Sequence, residues 1–201
     1  MDRLRLRRAL GAVLALTCAL SIATLAHGTR PGAAAPAAPD HVLVVGDSLA
    51  VGMRPSLGAL LDGRPSSWSV RSGITTPQGM RRLRSRLARV APSVVVVSLG
   101  TNDGPDPARF RSRVRRALAA IPRTACVVWP DIFRPARKGR YAALNAVLRQ
   151  EARRDRRLTV VGWLQAVRTG RVALPDGLHP DAAGFQTRSR LVAAAVRRGC
   201  H

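Results

Sequence analysis

Four consecutive valines, Val94-Val95-Val96-Val97, restrict the fold of this chain more than any other stretch. An unbroken β-branched run offers water no polar face, so it reads as a strand buried on both sides. Strands of that kind belong to parallel sheets, whose crossover segments are usually helices that cover both faces. The flanking sequence supplies the other parts. Ser93–Leu99 marks the full central strand, and Val42–Val45, Ser67–Arg71, Thr124–Trp129 and Leu158–Val161 read as four more. Helical patterns alternate with them at Pro55–Leu61, Pro77–Val90, Pro107–Ala120, Gly139–Asp155 and Ala182–Arg198. In the second of these, Met80, Leu83, Leu87 and Val90 form one apolar stripe. The pattern predicts an α/β fold with a mostly parallel five-stranded sheet. Right-handed crossovers then bring every strand's carboxyl end to one rim, where ligands bind in open α/β sheets.

Outside that alternation the chain changes character. Arg3, Arg5, Arg7 and Arg8 precede an apolar run from Ala9 to Ala26, followed by small residues that suit signal-peptidase cleavage. Residues 1–27 are therefore expected to be a signal peptide or, if uncleaved, a signal anchor. Residues 28–40 read as an Ala/Pro/Gly-rich linker with little to bury, and 41–201 as the folded domain. The expected location is secreted or extracytoplasmic, with membrane contact only through an uncleaved leader. Cys126 and Cys200 lie beyond the leader, and an oxidising compartment permits a disulfide between the last helix and a strand. Two unpaired thiols are the alternative. A monomer is expected.

Charge needs separate weighing. The net charge is +23, carried by 33 arginines and a single lysine. Such a balance suits a polyanion partner. The arginines, however, are spread along helical segments, with no zinc finger, basic zipper or RNA-binding aromatic motif beside them. They read first as solvated helix faces and second as an attraction toward anionic envelope material. Nucleic acid is not expected as a partner.

The rim carries the chemistry. Ser48 follows the first strand in the turn Gly46-Asp47-Ser48, and Gly73 follows the second. Gly100-Thr101-Asn102-Asp103 follows the valine strand. A serine hydroxyl becomes a nucleophile only with a base to take its proton and donors to hold the oxyanion. Of four histidines, His27 belongs to the leader or its edge, His41 precedes the first strand and His201 is terminal. His179 alone sits inside the domain, three residues after Asp176 in Asp176-Gly177-Leu178-His179-Pro180. Taken singly, each residue has a plain reading: a surface histidine, a turn glycine, a turn asparagine, an Asp-Gly turn. Asp47 reads as a turn residue, with an acceptor role behind the site as the other option.

Taken in order, Gly46-Asp47-Ser48-Leu49, Gly73, Gly100-Thr101-Asn102-Asp103 and Asp176-Gly177-Leu178-His179-Pro180 resemble the four blocks of the SGNH (GDSL-like) hydrolases. The resemblance spans the domain from Val42 to about Arg198. It implies a flavodoxin-like three-layer α/β/α sandwich, with Ser48 as nucleophile, His179 as base and Asp176 orienting it. It also implies an oxyanion hole made by the Ser48 N–H, the Gly73 N–H and the Asn102 side chain, with no cofactor and no metal. Ala50 follows Leu49, and the compact chain has no lid segment, which favours small acyl groups such as acetyl. Tyr141–Asn145 and Val160–Trp163 are similar to SGNH domains attached to polysaccharide O-acyltransferases, and leave Trp163 as either core or substrate platform. The resulting expectation is an exported serine esterase acting on a small acyl ester, with an envelope glycan as a candidate carrier. The alternatives are an O-acyltransferase that acts on an envelope glycan and a non-catalytic glycan- or polyanion-binding module.

Overall fold

The computed structural model describes residues 40–135 and 141–199. In chain order the elements are β1 (Val42–Gly46), α1 (Ser48–Ala59), β2 (Ser66–Val70), α2 (Thr76–Leu87), β3 (Val94–Ser98) and α3 (Pro107–Ala120). They are followed by β4 (Cys126–Pro130), α4 (Ala142–Arg154), β5 (Leu158–Val161), α5 (Trp163–Arg168) and α6 (Ala182–Arg198). The five strands form one sheet in the order β2-β1-β3-β4-β5, and every neighbouring pair is parallel. The strand order therefore reverses between β1 and β3. Connections leave in opposite directions there, which opens a crevice at the carboxyl ends of those two strands.

Strand alternation divides the core into two layers. Leu43, Val45, Val95, Val97, Val127 and Trp129 face α2, α3 and α4, where they meet Leu83, Phe110, Val114 and Leu148. Val42, Val44, Val94, Val96 and Val128 face the opposite way, onto Met53 and Leu57 of α1 and Val192 and Val196 of α6. The valine run of β3 is buried along its whole length, as an apolar stretch of that kind requires. Each valine removed from water in this way contributes about 1.5–3 kcal/mol before entropy is counted.

One helix differs from the sequence expectation in a way that bears on the site. Helical pattern is expected only from Pro55, yet α1 begins at Ser48 and runs through Pro55. An interior proline lacks a ladder donor and generally costs about 3 kcal/mol or more. Leu49, Met53 and Leu57 recur every fourth residue and are all buried against the sheet and α6, so packing carries the helix past the proline. The short α5 is not foreseen by the sequence reading. It buries Trp163 against Ala166 and Val172, so Trp163 belongs to the core and is not a substrate platform.

Cys126, half-buried at the start of β4, is disulfide-bonded. The partner nominated from sequence, Cys200, lies outside the described residues, as do the expected leader and all but the last residue of the linker. No helix among the described residues is long and apolar enough to cross a membrane.

Candidate active site

The turn that carries Ser48 is built by close packing. Gly46 lies between β2 and β3, paired with Val70 and Ser98. A Cβ there would stand 2.4 Å from Ala50 Cβ and 2.8 Å from the Ser98 carbonyl oxygen, so only glycine fits. The Asp47 N–H then donates to the Ser98 carbonyl at 3.0 Å, and the Asp47 side chain caps α1 by accepting from the Leu49 N–H at 3.0 Å. Ser48 is thereby the first residue of α1, half-buried, at the end of a helix whose free N–H groups favour developing negative charge.

A loop between α5 and α6 approaches from the other side. Asp176 Oδ1 accepts from the Leu178 N–H at 2.9 Å and the His179 N–H at 2.6 Å, while Oδ2 stands 2.7 Å from His179 Nδ1. Gly177, with φ +76, allows the loop to fold back on itself this tightly. The carboxylate beside Nδ1 assigns the ring proton to that nitrogen and leaves Nε2 as the acceptor. Nε2 lies 2.8 Å from Ser48 Oγ, so the serine hydroxyl donates to it. The ring hydrogen bond from His179, joined by the two backbone N–H groups, holds the Asp176 carboxyl well below the usual carboxylate range. Both side chains remain open to water, 39% exposed for His179 and 57% for Asp176.

The oxyanion candidates converge on the same rim, at the ends of three adjacent strands. Asn102 Nδ2 donates to the Ile74 carbonyl at 3.1 Å and reaches Asp47 Oδ2 at 3.5 Å. Asn102 therefore joins the neighbour of Gly73 to the neighbour of Ser48. Gly73 itself is exposed with φ +75, and a Cβ there would meet nothing within 4 Å. Its N–H stands on a surface that no side chain of its own obstructs. Asp103 supports the arrangement by accepting from the Thr76 N–H at 2.8 Å and pairing with Arg113 at 3.1 Å, which fixes the start of α2.

Beneath the serine lies a floor of charge. Asp47 is fully buried as well as capping α1, so it has both roles considered for it. Burial pushes its carboxyl up to about 6, with Arg188, the Leu49 N–H, His179 and the Thr101 side chain pulling the other way. Arg188 of α6 is equally enclosed. Its Nη2 donates to Ser98 Oγ at 3.0 Å and its guanidinium lies 4.7 Å over the Trp163 ring. Burial lowers its pKa to about 10, opposed by Asp47 and then Asp131. Asp131 is itself raised by burial, while accepting from the Leu164 N–H at 2.5 Å.

Sequence reasoning passed over Arg188, Asp131 and Thr101. A signal for Arg188 was present: Gly184, Arg188, Val192 and Val196 recur every fourth residue on the buried face of α6. An arginine on that stripe cannot be one of the solvated ones. Arg134 is buried too, and its Nη1 donates to the Thr101 and Asp103 carbonyls. Among the described residues, no group of three or more His, Cys, Asp and Glu side chains is placed to hold a metal.

The family model of the GDSL-like lipase/acylhydrolase family matches residues 44–187. Among solved structures, the C-terminal catalytic domain of Streptococcus pneumoniae peptidoglycan O-acetyltransferase A, carrying a methylsulfonyl adduct, superimposes with a TM-score of 0.64 at 18% identity. That match covers 81% of this chain and 93% of the other. The psychrotrophic esterase EstA from Pseudoalteromonas sp. gives a TM-score of 0.63 at 18% identity, covering 79% of this chain and 97% of that one. A family 3 carbohydrate esterase from Clostridium thermocellum matches with the same TM-score, identity and coverage. At such identities these likenesses speak for the fold. A search of curated proteins returns no match.

Proposed function

From the premise that this chain belongs to the GDSL-like lipase/acylhydrolase family, we propose that it is an exported serine esterase that releases small acyl groups, acetyl first among them. The observation that carries the reading is the continuous chain from Asp176 Oδ2 to His179 Nδ1 at 2.7 Å and from His179 Nε2 to Ser48 Oγ at 2.8 Å. Such a chain lets the imidazole take the serine proton while the carboxylate steadies the imidazolium.

Ser48 Oγ attacks the ester carbonyl as His179 Nε2 accepts the hydroxyl proton. The carbonyl oxygen gains the negative charge and is held by the Ser48 N–H, the Gly73 N–H and the Asn102 side-chain amide. Each donor of that kind is worth about 2.7–4 kcal/mol in the barrier. As the tetrahedral centre collapses, the imidazolium returns the proton to the departing alkoxide, and the acyl group remains on Ser48. Water then gives one proton to His179 and attacks the acyl carbonyl; the bond to Ser48 Oγ breaks as His179 returns the proton to that oxygen, and the acid leaves. The openness of His179 and Asp176 supports water as the acceptor. Export rests on the Arg-rich, then apolar, amino-terminal segment, and the small acyl group on the compact chain without a lid segment.

The test is labelling of the full chain with a serine-directed phosphonate, with Ser48→Ala beside it. One label per wild-type chain and none on the variant is expected, and equal labelling of the two would remove Ser48 from the chemistry. With p-nitrophenyl acetate and an oligosaccharide acceptor present, the acid released is expected to account for the ester consumed. Acylated oligosaccharide as the main product would instead make the chain a transferase.

A further inference from the structure

We propose that the arginine-lined face of β2, α2 and α3 seats the anionic polysaccharide that carries the ester, beginning at Gly73. The segment between Asp62 and Asp103 contains no acidic residue, yet holds Arg64, Arg71, Arg81, Arg82, Arg84, Arg86 and Arg89. Arg64, at the start of that segment, pairs with Asp40. Outside it arginines find carboxylates, on α3 as well: Arg109 pairs with Asp106, Arg113 with Asp103, Arg115 with Glu151 and Arg157 with Asp155. Among the described residues, Arg71, Arg81, Arg82, Arg84, Arg86 and Arg89 form no ion pair. Arg81 and Arg84, and Arg82 and Arg86, stand three or four residues apart on α2, so like charges face one another along the helix, and Arg89 adds another just past its end. A polyanion lying along that face would relieve the repulsion.

Space for it is present. A cleft of about 390 Å³ opens at Gly73 and is walled by Arg71, Arg81 and Arg82. A second, of about 380 Å³, continues past Arg81 and Arg82 to Arg86 and Arg89. A third, of about 440 Å³, runs from Arg81 and Arg84 across to Arg109, Arg113 and Arg116 on α3. Arg81 borders all three. Guanidinium groups bind carboxylate and phosphate alike in a two-pronged way.

The face lacks what single-stranded nucleic acid needs. Among the described residues, no aromatic side chain lines any of the three clefts. Trp68 of β2 is half-buried against the α1 and α6 side of the sheet with Arg54 over its ring, so no platform for base stacking stands among these arginines. A polysaccharide supplies both requirements at once: acidic groups for the arginines and acylated hydroxyls for Ser48. The role assigned to this face rests on the esterase reading above, whereas the binding itself does not.

The test uses the full chain carrying Ser48→Ala, so that binding is read without turnover. Its probes are polygalacturonate, polyphosphate, dextran and oligo(dT). Polygalacturonate or polyphosphate is expected to bind and dextran not, and whichever anion binds better identifies the acidic group as carboxylate or phosphate. Affinity is expected to fall at least about tenfold between roughly 50 and 200 mM salt, as multiple ion contacts dictate. Arg71→Gln/Arg81→Gln/Arg84→Gln is expected to lose about tenfold. Arg153→Gln/Arg190→Gln/Arg198→Gln removes the same charge elsewhere and should lose less than twofold. Thermal unfolding of both triple variants checks the fold, and Arg81→Gln alone, expected to lose about threefold, stands in if the first triple is unstable. Equal loss in the two triples, salt-independent binding, or a preference for oligo(dT) over both acidic polymers would overturn the proposal. Hydrolysis of p-nitrophenyl acetate by the wild-type chain is read separately; its absence would sink the esterase reading and leave the binding result standing.

Discussion

Asp47 and Asp176 approach Ser48 from opposite sides, one from the floor of the sheet and one from an open loop, and their carboxyls move in opposite directions. Asp47 is sealed from water, and burial raises it to about 6 despite Arg188 and the donors around it. Asp176 is exposed and is held well below the usual range by the His179 ring and two backbone N–H groups. The difference teaches how the two regions divide their work. In the loop, ionisation of Asp176 costs little because water already solvates it, so its charge is available to an imidazolium. On the floor, a charge survives only because Arg188 and local donors compensate for lost hydration. The floor holds the Ser48 turn in place, and the loop presents an ionised carboxylate to the His179 ring.

The largest expected effect breaks the loop alone. Asp176→Asn should lower kcat for p-nitrophenyl acetate by about 10⁴-fold, since an amide no longer enforces the ring tautomer. Its unfolding midpoint in urea should barely move, because the side chain is exposed; a marked loss of stability would make Asp176 structural. The reverse is expected on the floor. Arg188→Leu leaves Asp47 and Asp131 without their buried cation and should destabilise by about 3–5 kcal/mol in chemical unfolding. Adding Asp47→Asn should recover part of that loss, which a double-mutant cycle would read directly.

Asn102→Ala tests the rim beside the floor, where Asn102 joins Asp47 to the segment that follows β2. Loss of one oxyanion donor should lower kcat by about 10²–10³-fold with KM changing much less. A change confined to KM would place Asn102 in ground-state binding instead. The smallest effect is a pH signature. The folded chain binds the Asp47 proton more tightly than the unfolded chain does. The contribution of Asp47 to stability is therefore full below its ordinary value of 3.8 and lost as pH rises through about 6. Asp47→Asn keeps a capping side chain but removes that titration. The stability difference between variant and wild type, measured from pH 4 to 7, should move in favour of the variant as pH rises. A flat difference would mean that Asp47 is not strained by its burial.

Much of the site was legible because its residues sit where local rules speak. The strands around Ser48 and Asn102 are marked by runs of valine, and β-branched residues cannot be mistaken for a solvated face. His179 stood out by elimination among four histidines, and Asp176 by lying three residues before it. The start of α1 was harder to read, since Pro55 argues locally against a helix that the packing of Leu49, Met53 and Leu57 sustains. Arg188 was hidden for a related reason. In a chain with 33 arginines, one more on a helix carries no local mark of burial.

The sequence by itself determined the alternation of elements, the identity of the rim residues and the excess of arginine over acid between Asp62 and Asp103. These follow from hydrophobic period, turn chemistry and counting, all of which act over a few residues. Only the tertiary structure decided that Ser48 Oγ and His179 Nε2, 131 positions apart in the chain, meet at 2.8 Å. It alone decided that Asp47 and Arg188 share a dry floor and that the arginines of α2 flank Gly73. Such placements depend on strand order and on which helix covers which face. Those are set by the summed packing of the whole core, which no short stretch of sequence can report.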